Sequence, residues 1–284
     1  MGLLTAFVAA LAYGVGTILQ ARSVEGLAAA GPEASWGRRL NLLLPYAAGL
    51  ASDALGFVAA VVAVRSQPLF VVQSVVASSV AVTAVLAVLF LGDRLDRRDI
   101  LALAGLVAGL TLLALTAEEG PARAVGHGLR LALIGGIAGV ILLLGLGMVV
   151  RSRVLAATLL AVTAGLGFGG VAIAARVLVM PAPWWRLLGS GDAWAIVLYG
   201  AVALTAYGVA LDRGSTTRVA AVTFAVETIA PSGIGLAVLG DDIRPGHGFA
   251  CALGFVLTLA ACLALARRAE PGPARHTPSR REGA

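Results

Sequence analysis

Runs of about twenty mostly apolar residues recur along the whole chain and constrain its fold more than any other feature. An α-helix needs roughly 20 such residues to cross the hydrocarbon core of a bilayer. The 284 residues are 59% hydrophobic and only 13% charged, whereas a soluble domain carries roughly 25% charged residues. The chain lacks the polar surface of a soluble globule. We therefore predict an all-α, polytopic membrane helix bundle with the lipid bilayer as its partner.

The apolar runs predict about nine spans, with eight or ten as alternatives. They lie at residues 3–21, 42–64, 69–91, 99–117, 129–150, 154–178, 193–211, 216–239 and 247–266. The longest connections are predicted at 22–41, 118–128 and 179–192. Trp184 and Trp185 in the last of these are typical of a membrane interface. The Pro- and Arg-rich tail, residues 270–284, is predicted to be disordered.

All 21 basic residues are arginines, and their distribution predicts the orientation of the chain. If successive spans alternate in direction, fifteen arginines fall on one side of the membrane and six on the other. Cytoplasmic loops carry the excess of positive charge. We predict a multi-pass protein of the plasma membrane with its N-terminus outside and its C-terminus in the cytoplasm.

Two short patterns repeat between the halves of the chain. Leu91-Gly92-Asp93 and Leu239-Gly240-Asp241 each close an apolar run, and Gly16 and Arg22 have the same spacing as Gly170 and Arg176. We predict two four-helix repeats, spans 1–4 and 6–9, with the second inverted because a single linker span separates them. Inverted repeats are typical of secondary transporters. The predicted units are residues 1–117, the linker 118–150, residues 151–269 and the tail 270–284.

Asp53 and Glu227 are the acidic residues that lie deep inside predicted spans. A charge at mid-membrane costs at least about 2.5–3.5 kcal/mol by insertion scales, and such residues usually face the bundle interior on ion or proton paths. The alternative for each is a structural carboxyl that is protonated or hydrogen-bonded to a neighbouring helix. We predict that both bind a substrate or a coupling ion.

Pro231 strengthens the prediction for Glu227. Proline has no N–H to donate to the carbonyl of Glu227 four residues earlier, which predicts a helix break that leaves this oxygen unpaired. Together with Thr223, one turn before Glu227, it would offer oxygen ligands, which hard cations prefer. The alternative is a proline kink that only shapes the packing.

The third span carries Gln73, Ser74 and Ser78 on one helical face. They could line a polar cavity, but small polar residues also pack membrane helices together. Gly105 and Gly109 in the fourth span are interpreted as such a packing face.

Other classes of function find little support in the sequence. The arginines are dispersed and not clustered with aromatic residues, which argues against nucleic-acid binding. No nucleophile lies beside a base, so we do not predict an enzyme, and no cofactor is expected. Cys251 and Cys262 are interpreted as packing residues. A homo-oligomer is left open.

The sequence resembles the drug/metabolite transporter superfamily. The stretch Ala9-Ala10-Leu11-Ala12-Tyr13-Gly14-Val15-Gly16-Thr17-Ile18-Leu19 is similar to the first helix of the small multidrug resistance family. The stretch Phe90-Leu91-Gly92-Asp93-Arg94-Leu95 is similar to a turn of EamA-type transporters. The resemblance implies a transporter that moves a small metabolite, a drug-like molecule or a cationic solute by alternating access. Tyr13 replaces the membrane glutamate of the multidrug family and is a candidate site residue here.

A second resemblance is to the NIPA-type magnesium transporters. It rests on the nine-span layout, on Asp53 ahead of Phe57 in the second span, and on Pro68-Leu69-Phe70-Val71-Val72. It implies a magnesium or divalent-cation transporter as the alternative function. A non-transporting membrane scaffold or partner subunit is a further alternative.

Overall fold

The computed structural model describes residues 2–31, 35–91, 96–118, 127–179, 183–214 and 216–268. Ten α-helices make up most of this part of the chain. They are α1 (Gly2–Ala30), α2 (Trp36–Ala63), α3 (Leu69–Ala77), α4 (Ser79–Leu91), α5 (Arg97–Thr116), α6 (His127–Val149), α7 (Arg153–Val177), α8 (Gly191–Arg213), α9 (Thr216–Ile234) and α10 (Gly248–Arg268).

The described residues contain nine segments that are long and apolar enough to cross a membrane. The helices α3 and α4 together form the third segment, Leu69–Phe90, and α9 with the turn that follows forms the eighth, Arg218–Leu239. Every predicted span overlaps one of these segments. Many large apolar side chains, such as Leu142 and Val149, are exposed on the outside of the bundle. The predicted all-α membrane fold is confirmed.

The connection predicted at 22–41 is mostly helical, and this prediction was wrong. Helix α1 continues to Ala30, and α2 begins at Trp36, where the Ser35 side chain accepts a hydrogen bond from the Arg38 amide. Charged residues such as Arg22 end an apolar run but do not end a helix. The helix ends at Gly31, whose φ of 68° is favoured by glycine. The predicted tail, 270–284, lies outside the described residues.

The third and eighth spans are both irregular near their middle or end. The third is interrupted at Ser78, between α3 and α4. In the eighth, the α-helix runs through Pro231 to Ile234 and changes to a π-helical turn at Gly235–Leu239. The irregularity therefore begins at Gly235 and not at Pro231, where a break was predicted. Proline removes one hydrogen bond but the remaining turns keep the helix continuous.

Glycines set the closest approaches between helices. A Cβ atom on Gly109 would lie 2.8 Å from the Gly254 carbonyl oxygen, so α5 and α10 touch backbone to backbone there. On α7, a Cβ at Gly170 would lie 2.5 Å from the Tyr199 ring of α8. Small residues allow such contacts between membrane helices. The interpretation of Gly109 as a packing residue agrees with these contacts.

Gly109→Ala is therefore expected to lower the thermal stability of the purified protein, by about 1–3 kcal/mol for a clash in a packed interior. Gly105→Ala is a matched control one helical turn away, because its nearest neighbour would be the Ala261 Cβ at 4.0 Å. We expect the control to be neutral or slightly stabilising, since alanine is a better helix former. Equal melting temperatures for the two variants in detergent would contradict this packing.

Corresponding helices pair in the two halves of the bundle. Helix α1 packs on α2 and α4, as α7 packs on α8 and α9, while α5 of the first half packs on α10 of the second. A Cβ on Gly2, at the start of α1, would contact Ser66 and Gln67, and the Gln67 carbonyl accepts a hydrogen bond from Arg176 at the end of α7. The start of α1 and the end of α7 thus lie at one end of the bundle. The inverted relation of the two units, and their boundaries, stay predictions.

Candidate functional site

A cavity of about 920 Å³ lies between the α1–α4 half and the α7–α9 half of the bundle. Its size is in the range of roughly 300–1,000 Å³ that is usual for ligand sites. Most of its wall is apolar. The polar side chains that line it come from five helices: Tyr13, Thr17, Gln73, Ser79, Tyr207, Glu227 and Thr228.

Glu227 is the acidic side chain in this wall among the described residues. Its carboxyl makes no hydrogen bond or ion pair with any of them, although Thr228 next to it donates to the Phe224 carbonyl oxygen. Helix α7 packs closely on α9 one turn after Glu227, since a Cβ on Gly169 would lie 3.1 Å from Pro231. Glu227 therefore lies on a tightly packed helix, and no arginine is among the described residues that line the cavity.

Five aromatic rings also line the cavity. Tyr13, Phe57, Phe168, Tyr207 and Phe224 all contribute to its wall. The face of an aromatic ring attracts cations, most strongly when water is excluded. A cavity with one carboxylate and several rings is suited to a positively charged ligand with an apolar body.

Asp53 lies outside this lining. Its Oδ2 atom accepts a hydrogen bond of 2.6 Å from Gln20 Nε2, and a Cβ on Gly16 would come 2.3 Å from its Oδ1. The carboxyl therefore joins α1 to α2, in the manner of the structural alternative. Its role as a ligand stays a prediction.

Asp53→Asn tests these two roles of Asp53. The amide oxygen of asparagine can still accept from Gln20, so we expect this variant to retain most of its transport activity. Asp53→Leu removes the acceptor and leaves the Gln20 amide without its partner, at a cost of about 1–3 kcal/mol. We expect it to melt at a lower temperature. Complete loss of transport in a stable Asp53→Asn protein would instead place Asp53 in the ion path.

The other predicted site residues divide between the cavity and the packing. Gln73 and Tyr13 line the cavity. Thr223 is buried and donates to the Ala161 carbonyl oxygen of α7. Ser74 and Ser78 donate to carbonyl oxygens of their own helical turn, those of Phe70 and Val75. These three hydroxyls are used by the packing and are not part of the cavity wall.

The cavity provides few ligands for a tightly bound metal ion. In the part of the chain that the structure describes, no three His, Cys, Asp or Glu side chains come together. A metal ion at Glu227 would have to keep water or take neutral oxygens such as those of Gln73. Mg²⁺ often does keep several waters and binds through one or two carboxylates.

Sequence reasoning missed a buried ion pair in the described residues. Arg176 Nη2 lies 2.7 Å from Asp241 Oδ1, and both side chains are almost completely buried. Arg176 had been noted only as a repeat anchor and Asp241 only as part of a turn pattern. Asp241 Oδ2 also accepts a 2.6 Å hydrogen bond from the Leu69 amide. An arginine in the last turn of an apolar span, with an aspartate just after another span, was the available signal.

The fold and its cavity define a multi-pass helical membrane protein. Residues 1–126 match the family model described as magnesium transporter NIPA, which confirms the resemblance to that family over this part of the chain. The match includes Tyr13, Asp53 and Gln73 and ends before Glu227. No curated protein and no solved structure matches the chain. The match and the nine apolar segments support the class of membrane transporters.

Proposed function

We propose that the protein transports an organic cation across the membrane by alternating access, with Glu227 as the counter-charge of the transported ion. The observation that carries the proposal is the Glu227 carboxyl itself, which lines an apolar cavity without a hydrogen bond or ion pair among the described residues. Ionised carboxyls at membrane depth are costly and are usually paired. A bound cation would supply the missing partner.

The surroundings of Glu227 favour a cation with an apolar body. Five aromatic rings lie in the cavity wall, and they would stabilise a weakly hydrated cation through its contact with their faces. An apolar ligand body would also remove the apolar wall from water, at about 25 cal/mol per Å². A strongly hydrated ion gains nothing from that wall.

Magnesium is the second candidate, and the family match over residues 1–126 favours it. The cavity of about 920 Å³ is large enough for a hydrated ion. Glu227 would then bind Mg²⁺ through its water shell, since the ion dehydrates reluctantly. In that case Gln73 and Tyr13 would contact the shell and not the ion.

Thermal stabilisation in detergent separates the two candidates. We expect tetraalkylammonium chlorides to raise the melting temperature in the order tetramethyl, tetraethyl, tetrabutyl, because each longer chain buries more apolar wall. Sodium chloride at equal ionic strength is the control, and Glu227→Gln is expected to lose the whole series. Stabilisation by millimolar MgCl₂ and by no organic cation would favour the second candidate. Stabilisation of the wild type by neither would contradict a cation site.

The orientation remains part of the proposal. We propose that the arginine-rich ends of the spans face the cytoplasm, as the arginine distribution predicts, and that the protein resides in the plasma membrane. Labelling of an added C-terminal tag in intact cells tests it. We expect the label to reach the tag only after the cells are permeabilised. Labelling of the tag in intact cells would show that the C-terminus lies outside and would contradict the proposed orientation.

A further inference from the structure

One end of the bundle is closed by a buried, charged network. Arg176, in the last turn of α7, donates to the carbonyl oxygens of Val64 and Gln67 and to Asp241 Oδ1. Asp241 in turn accepts from the Leu69 amide at the start of α3. The guanidinium is planar with a fixed fork of donors, so it can bond several acceptors at once. We call this end of the bundle the Arg176 end.

These bonds join the two halves of the chain. Both charged side chains belong to the second half, whereas Val64, Gln67 and Leu69 belong to the first half, in the connection between α2 and α3 and at the start of α3. The contacts to the first half are made to backbone atoms. The segment at 64–69 could move away from the second half only by breaking its bonds to both Arg176 and Asp241.

The network lies directly at the wall of the cavity. Val64, whose carbonyl accepts from Arg176, lines the cavity, and so does Ala175, the neighbour of Arg176. Arg176 and Asp241 are almost completely buried, with side-chain exposures of 1% and 0%. The network therefore borders the cavity wall on the side of this end of the bundle.

The closed end also contains a polar group that favours opening. The Gln67 Nε2 atom is buried and has no hydrogen-bond partner among the described residues. An unpaired buried donor raises the free energy of the closed state, and exposure to water would satisfy it. Arg22, which has the spacing of Arg176 in the first half, differs: it is exposed and donates to the Phe90 carbonyl oxygen within its own half.

We propose that Arg176 and Asp241, with the carbonyls of Val64 and Gln67 and the Leu69 amide, form a gate. In the structure this gate is closed, and it opens during the transport cycle to connect the cavity with the Arg176 end. The gate goes beyond the identity of the transported ion. Its existence requires only that solute reach the cavity from this end.

Thiol labelling tests the gate without any transported substrate. A cysteine placed in the cavity by Ser79→Cys reacts with membrane-impermeant 2-sulfonatoethyl methanethiosulfonate, an anion that a cation site would not bind, applied to right-side-out and inside-out vesicles in turn. Asp241→Asn keeps an oxygen for the Leu69 amide but removes the charge that holds Arg176. We expect it to speed labelling from the Arg176 end roughly ten-fold or more, because the accessible fraction follows the equilibrium between closed and open states.

Two controls separate opening from loss of structure. Asp192→Asn removes the same charge from a partly exposed ion pair, in which Asp192 lies 3.5 Å from Arg130. The cavity cysteine of this control variant should be labelled at the parent rate. The native Cys251 and Cys262 are buried and do not line the cavity. Labelling of these two cysteines, in protein without the Ser79→Cys substitution, therefore reports unfolding. If the Asp241→Asn protein unfolds by this criterion, the same labelling is measured on Arg176→Lys, which keeps the positive charge but lacks the several N–H donors of the guanidinium.

A folded variant of either kind that labels at the parent rate from the Arg176 end would overturn the gate. So would equal acceleration by Asp192→Asn. Acceleration confined to the gate variants and to that side supports it. Because no cation has to be bound or moved, the gate can pass this test even if Glu227 proves not to bind the substrate, and it can fail even if Glu227 does.

Discussion

Glu227→Gln is expected to abolish transport while the protein still inserts and folds. Glutamine has nearly the same shape as glutamate but cannot neutralise a cation in an apolar cavity. Leaving one member of a buried charge pair without its partner costs about 2–5 kcal/mol, so we expect uptake of labelled tetraethylammonium into proteoliposomes to fall about 30-fold or more. The same loss is expected for Mg²⁺ uptake if the ion is magnesium.

The fold should tolerate this change well. Glu227 makes no hydrogen bond or ion pair with the described residues, so its replacement breaks none. Removing a buried charge also removes its desolvation cost. We expect an unchanged or raised melting temperature. Asp212→Asn, the same chemical change at an exposed aspartate near the end of α8, is the matched control and should transport normally. Normal uptake by Glu227→Gln would contradict the proposed function.

Asp241→Ala is expected to destabilise the protein more than Gly109→Ala or Asp53→Leu does. It leaves the Arg176 guanidinium buried without its counter-charge, and breaking a buried pair in this way typically costs about 3–5 kcal/mol. It also removes the acceptor of the Leu69 amide at the start of α3. We expect a much larger fall in melting temperature than for Asp192→Ala, whose partner Arg130 is half exposed and whose loss should cost about 0–1 kcal/mol.

A double variant distinguishes the lost charge from the lost side-chain volume. Arg176→Met with Asp241→Leu replaces the pair by apolar groups of similar size, which in other buried pairs is often neutral or stabilising. We expect it to recover much of the stability lost in Asp241→Ala. Equal damage in the double and single variants would show that the hydrogen bonds to Val64, Gln67 and Leu69 matter more than the uncompensated charge.

The spans were predictable because the bilayer imposes one simple requirement on the sequence. A run of apolar residues long enough to cross it is visible without any tertiary contact. The ends of helices were less predictable, because a helix can continue beyond the point where the apolar run ends. Helix α1 passes Arg22 and continues to Ala30, since arginine is a good helix former and only Gly31 stops it.

The lining of the cavity was predictable in part. Glu227 and Gln73, which line it, were predicted as site residues because polar groups deep in apolar runs need a reason to be there, and their roles stay predictions. The roles of Asp53 and Thr223 depended on what faces them across a helix contact, namely Gln20 and the Ala161 carbonyl. Those partners lie far away in the sequence. Which of them a side chain meets depends on how each helix is rotated about its axis, and hydropathy does not specify that rotation.

The gate residues show the same dependence on tertiary structure. In the sequence, Arg176 is part of a repeated spacing, and Asp241 belongs to a pattern that closes an apolar run. Their pairing requires the 64–69 segment, the end of α7 and the turn after α9 to meet at one point. Tyr207 was missed for a related reason, because a tyrosine within an apolar span is common and only its direction toward the cavity distinguishes it.

An experimental structure with bound tetraphenylarsonium tests the cation site at Glu227, because the arsenic atom of this apolar cation can be located by its anomalous scattering. We predict one arsenic peak inside the cavity, beside the Glu227 carboxyl and among the rings of Tyr13 and Tyr207, and its loss in Glu227→Gln crystals. A peak beside Asp53 with none in the cavity, or an unchanged peak in the Glu227→Gln protein, would contradict the account.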